Sequence, residues 1–258
     1  EIDSAHAAVL HGRVDKDSTI NQWRQAQDLV PSFECVQHGA GVQIAARRKA
    51  GDTASGEGQD YVRVNQFLLP FYTLVPPQTQ YPELSGHAWV PVDDETTLAL
   101  MFTYHPARPL PEKSIKMFNE GHRGWDSGHP AATSFEPRPV TTHFPMFWSK
   151  YNRGNAYQFD YASQVSQRMS GMPGLWVQDA AAQSGVSAIV DRSREMLGTT
   201  DLGIARTRRL LLDATRKLQA DGTRPASATD PAAMAWRAVS ITIPAKSDWK
   251  PVAADFMK

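Results

Sequence analysis

The chain has 258 residues, 41% apolar and 21% charged, with 27 basic side chains balanced by 27 acidic ones. That is the composition of an ordinary globular protein with a sizeable core, and a net charge of zero gives no overall field to hold nucleic acid or an anionic membrane. No apolar run approaches a bilayer span, and the single cysteine, Cys35, excludes a disulfide framework or a cysteine-built metal cluster within these residues, so a reducing, cytoplasmic setting is expected.

Positions 2–11 read IDSAHAAVLH, with Asp3 three residues before His6 and His11 five after it, along one helix. A helix turns about 100° per residue, so five steps leave about 140° between the imidazoles. The two share a ligand only where the helix widens, as in a π-bulge, a rare irregularity that clusters at functional sites. Otherwise they are one surface and one core histidine. Residues 15–31 read as a polar surface stretch.

FECVQHGAGVQIAARRK then reads as a hairpin around Gly39, Ala40 and Gly41, with Val42, Ile44, Ala46 and Arg48 on one face of its second arm. Residues 51–60 are a loop by composition, and YVRVNQFLLPFYTLV is a long β-prone run bent or placed at an edge by Pro70. GHAWVPVDD and TTLALMFTYH form a further hairpin turned at Asp93, Asp94 and Glu95. Residues 105–147, rich in proline and glycine, read as a lid or a loop packed on a partner. The last third reads as helical: Ile204, Thr207, Leu211, Ala214 and Leu218 form one stripe, with Asp201 as N-cap, Gly222 as stop, and Arg206, Arg208 and Arg209 as a solvated face. The expectation is a single α+β domain, a curved antiparallel meander with a long helix across it.

A third ligand would decide what His6 and His11 do. Asp179, in GLWVQDAAAQSG, is the candidate, and it reads equally as a helix N-cap before three alanines. Two imidazoles and a carboxylate on one face of an iron leave open positions where dioxygen and substrate can meet. Zinc would accept the same ligands, but the H-E-x-x-H arrangement that supplies a general base for zinc hydrolysis is absent.

IDSAHAAVLH resembles the mononuclear-iron motif of Rieske-type aromatic-ring oxygenases. LWVQDAAAQSGVSAIVDRSREMLGTTDLGIARTRRLLLDA resembles the C-terminal signature of their phthalate dioxygenase subfamily, which includes aromatic O-demethylases, and GHAWVPVDDETTLALMFTYHP resembles the family's sheet. The resemblance covers essentially the whole chain. It implies a helix-grip (START-like) catalytic domain over residues 1–258, with His6, His11 and Asp179 as ligands of a mononuclear Fe(II) and O2 as co-substrate. It also implies that Asp3 links the iron to a Rieske histidine of a neighbouring subunit, in a head-to-tail homotrimer or a hexamer of two stacked trimers, with a reductase supplying electrons. Asp3 and His6, three apart, share a helix face, where a carboxylate fixes an imidazole's tautomer.

One departure matters. A Rieske [2Fe-2S] cluster needs two cysteines and two histidines, and one cysteine cannot supply it. Since the chain starts at Glu1 and the motif follows at once, the N-terminal Rieske domain is expected to have been lost from this chain, or to be a separate polypeptide. The chain alone is then expected not to turn over.

The subfamily mostly handles aromatic carboxylates. Arg48, on the apolar face of its strand, would meet either a substrate carboxylate or an internal acid, whereas Arg47 points the other way and Arg63 is ambiguous. Phe67, Phe71, Trp89, Phe102 and Trp176 line an aromatic pocket or are plain core. The expected function is dioxygen activation for ring dihydroxylation or O-demethylation of an aromatic acid. The alternative is a helix-grip small-molecule binding protein without the chemistry, which has no need of all three ligands.

Overall fold

A computed structural model describes residues 20–52, 57–77, 83–119, 135–138, 146–166, 170–172 and 174–258. In chain order the elements are α1 (Ile20–Gln27), β1 (Ser32–His38), β2 (Gly41–Asp52), β3 (Gly58–Leu68), β4 (Tyr72–Val75), β5 (Leu84–Pro91) and β6 (Thr97–Tyr104). There follow α2 (Glu112–Asn119), β7 (Phe135–Arg138), β8 (Met146–Ser149), α3 (Tyr161–Ser166), α4 (Gly174–Ser184), α5 (Leu202–Asp221), β9 (Val239–Pro244) and α6 (Trp249–Met257). The fold is α+β, an antiparallel helix-grip sheet with a long helix towards its C-terminal end, as expected. The described residues gather into two compact units: one of those up to Trp89, Phe102–Ala107 and Glu195–Lys258, the other of Val90–Met101 and Arg108–Arg194.

The sheet runs β1 to β6 in sequence order. The hairpin at Gly39 to Gly41 forms with the expected alternation, pairing Ile44 with Cys35 and Ala46 with Phe33. Gly41 is required there, because a Cβ at that position would lie 1.8 Å from the Phe67 carbonyl oxygen. The sequence reading missed β9, which pairs along Gln59 to Val64 of β3 while β4 pairs along Gln66 to Leu68. The last third is therefore not all helix.

Register assigns the faces. On one, Ala45, Val62 and Val64 pack with Val239, Ile243 and, from α6, Trp249, Ala253 and Met257. Leu68, Leu74 and Ala238 extend that core, with Phe102 packed on it, so Phe102 is core rather than pocket. Arg47 is on this side as expected, its Nη1 donating to Asp60 Oδ2 at 2.7 Å and its Nη2 to the Ser247 carbonyl at 2.8 Å.

The other face carries Val42, Ile44, Ala46 and Arg48 beside Phe67, Asn65, Arg63 and Tyr61. Helix α5 lies against β1 and β2 there, its Ala205 and Leu202 lining one hollow with Phe33. Helix α1 lies on the same side, with Arg24 5.8 Å from the centre of the Tyr61 ring. It falls in the stretch read as polar surface; Ile20 and Trp23 are indeed exposed, but INQWRQAQ, rich in the helix formers Gln, Arg and Ala, is a helix that the reading did not expect.

The ends of the expected loop at 51–60 are strand, since β2 continues to Asp52 and β3 starts at Gly58, and residues 53–56 lie outside the described residues. Residues 105–147 contain α2, β7 and the start of β8. Asp201 precedes α5 without capping it, because its Oδ2 takes the Gly198 N–H at 2.7 Å. Gly222 ends α5 in the left-handed region, its N–H on the Leu218 carbonyl, as expected. The stripe fails at Leu218, which is 51% exposed. Arg208 is not simply solvated, for it grips Glu195 with both terminal nitrogens at 2.6 and 2.9 Å.

Candidate metal centre

Asp179 is the sixth of eleven residues in α4, which begins at Gly174. A cap must precede the first turn. The cap reading of Asp179 therefore falls. Val177 and Gln178 beside it are buried, and Asp179 and Trp176 are half-buried. The helix is fixed near its end by Tyr157, whose Oη lies 2.6 Å from Ser184 Oγ, while Ser184 Oγ also donates to the Ala180 carbonyl. A carboxylate is an oxygen donor of the kind divalent iron accepts.

Asp3, His6 and His11 lie outside the described residues, as does the expected widening of their helix. Among the described residues no group of three His, Cys, Asp or Glu side chains could hold a metal, and no helix is long and apolar enough to cross a membrane.

Arg48 is 4% exposed, and its Nε donates to the Asp28 carbonyl just beyond α1 at 3.1 Å, so part of its guanidinium fastens that helix to β2. Arg63 is structural. Its Nη2 donates to the Pro76 carbonyl at 3.1 Å, and Nη1 and Nε reach Gln25 of α1, each at 2.7 Å, in the amide orientation that satisfies both.

A polar cluster on the same face went unnoticed in the sequence. Register aligns Val42 and Phe67, Phe67 and Thr73, then Thr73 and His87 in one row across four strands. Trp89, two residues on from His87, shares its side, and the rings stand 5.4 Å apart. Trp89 Nε1 donates to Thr73 Oγ1 at 2.9 Å, and Thr73 Oγ1 lies 3.5 Å from His87 Nδ1. The alternation in GHAWV carried the signal, had its residues been sorted by face.

Burial pushes the His87 imidazole down from its ordinary 6.5 to about 4. Between those values the unfolded chain takes up a proton that the folded chain does not, so stability rises with pH across the window. His87's contribution is complete above pH 6.5 and is lost as pH falls towards about 4. The urea midpoint of the native chain should drop over that range more than that of His87→Gln. Parallel midpoint curves would show that His87 does not titrate in this way.

The sequence model of the family described as "LigXa C-terminal domain like" matches residues 1–258. The chain belongs to that family. It is 29% identical over 230 residues to the 3-chlorobenzoate-3,4-dioxygenase oxygenase subunit of Comamonas testosteroni, covering 87% of this chain and 51% of that protein. It is 28% identical over 228 residues to the phthalate 4,5-dioxygenase oxygenase subunit of Pseudomonas putida, covering 85% of this chain and 47% of that one. The chain thus spans about half the length of the curated relatives it matches. Membership in this family bears out the resemblance to the phthalate dioxygenase subfamily read from the two end motifs.

Proposed function

We propose that this chain is the catalytic domain of a Rieske non-haem iron oxygenase acting on an aromatic carboxylate. The observation that carries the reading is the family match through all 258 residues, from the histidine motif to beyond Asp179. The position of Asp179 inside α4, where it cannot cap, supports its use as a ligand.

In this reading His6, His11 and Asp179 hold Fe(II), which when bound supplies the activation of dioxygen. Asp179 offsets part of the ion's charge, and a braced helix keeps that carboxylate in place without reorganisation. Asp3 holds the His6 imidazole in one tautomer and stands towards the neighbouring subunit of a trimer or hexamer. The sheet face bearing Val42, Ile44 and Phe67 gives an aromatic ring an apolar, water-poor surface. Arg48 is one candidate partner for the substrate carboxylate on that face. The Rieske cluster belongs to a further domain, and a reductase feeds it.

The experiment is oxygen uptake by the complete protein, with its cluster domain and reductase, across benzoate, 3-chlorobenzoate, phthalate and methoxybenzoates. Uptake dependent on an aromatic acid is expected. Formaldehyde release with a methoxybenzoate marks O-demethylation, and a dihydrodiol marks ring dihydroxylation. Tight binding of these acids with no uptake would favour a binding protein instead.

A further inference from the structure

We propose that Asn65 of β3 selects substrates by a hydroxyl group on the aromatic ring: its Oδ1 accepts the hydroxyl proton, and the second N–H of its amide nitrogen donates to the hydroxyl oxygen. Only the aromatic class of the ligand rests on the oxygenase reading.

Burial along β3 singles this residue out. From Asp60 to Leu68 every residue is buried except Asn65, which is half-exposed. Register sets Asn65 opposite Ile44, itself opposite Cys35, so these side chains form one row on the face that carries Val42 and Phe67. Ile44 and Phe67 are each only 8% exposed. On its other side β3 changes partner at this residue: Val64 is the last position paired with β9, and Gln66 is the first paired with β4. Asn65 lies in that gap, a polar side chain at the accessible point of an otherwise buried strand.

The amide is lightly held. Its Nδ2 donates to the Ile44 carbonyl at 3.5 Å, which fixes the nitrogen on that side, since Oδ1 turned there would meet another acceptor. One N–H and Oδ1 remain, and neither has a partner among the described residues. One donor beside one acceptor is the complement of a hydroxyl, which has a proton to give and lone pairs to receive. A carboxylate has only acceptors, so it would use the N–H alone and set its charge against Oδ1. Arg63, two residues back on the same face, already holds the Pro76 carbonyl and Gln25, so it is not placed to neutralise a carboxylate in this row. A neutral hydroxyl needs no counter-charge. A site that pairs both halves of a hydroxyl rejects the bare ring, because the bare ring leaves a desolvated amide unpaired.

Calorimetry on the full, metal-free chain tests this with benzoate and with 2-, 3- and 4-hydroxybenzoate. At least one hydroxybenzoate should bind the native chain about tenfold more tightly than benzoate. Asn65→Leu, close in shape but without polar atoms, should bring that ratio towards one. Asn65→Ser, too short to reach the ring, should do the same, so a folding defect in one variant leaves the other to decide. The Asn65 side-chain amide resonances, assigned by their loss in the variants, should move when the favoured hydroxybenzoate is added and stay in place with benzoate. A native chain that favours no hydroxybenzoate, a preference kept in both variants, or amide resonances that ignore the favoured acid would each overturn the assignment. Failure of the oxygenase reading would appear instead in oxygen uptake and iron content, with these affinity ratios unchanged.

Discussion

Asp179→Ala should remove most bound iron from the chain, while the metal-free protein should still fold and melt cooperatively. Two imidazoles alone hold Fe(II) weakly and leave its charge uncompensated. At an interior helix position alanine is favoured over aspartate by about 0.5 kcal/mol, so helix propensity does not oppose the substitution. The pair of measurements is metal content after anaerobic loading and a thermal melt of the apo form. Asp3→Asn should keep its iron, because Asp3 orients a ligand rather than serving as one, yet it should break electron delivery between subunits of the complete protein. Full iron occupancy in Asp179→Ala would move the third ligand elsewhere.

The largest loss of stability should come from Trp249→Ala. Trp249 is completely buried at the start of α6, packed in the cluster with Val62 and Val64, and its Nε1 donates to Glu34 Oε2 at 3.2 Å. Truncating a buried tryptophan costs about 3–5 kcal/mol through lost transfer energy and a residual cavity. For a domain of this size that lowers the melting temperature by roughly 10 °C. Trp249→Phe should recover much of it. A shift of only a degree or two in Trp249→Ala would mean that α6 is not an anchor of the core.

What could be read in the sequence was local. The hairpin at Gly39 to Gly41 and the turn at Asp93 to Glu95 carry their own glycines, acids and alternation, so pattern and pairing agree. The elements that were missed depend on distant partners. VSITIP alternates like any strand, yet its place beside β3 is set by pairing across about 180 residues, Tyr61 with Thr242 for instance. Helix α1 is held by contacts to Tyr61 and Arg63 that its own composition does not announce. At the candidate site, the residue types and order in the two end motifs were legible. The cap reading of Asp179 failed because DAAA looks like a helix start while the helix had already begun at Gly174. His87 was overlooked, and Trp89 was read only as pocket or core, for a related reason: the aromatics were sorted by type, and only register brings the two beside Thr73.

The central claim is that this chain provides two imidazoles and one carboxylate to a single iron. X-ray absorption of the chain loaded with one equivalent of Fe(II) tests it most directly. The account predicts nitrogen and oxygen donors at roughly 2.0–2.2 Å, multiple scattering from two imidazoles, and no sulfur. A sulfur ligand from Cys35, an imidazole count other than two, or a spectrum unchanged by Asp179→Ala would contradict it.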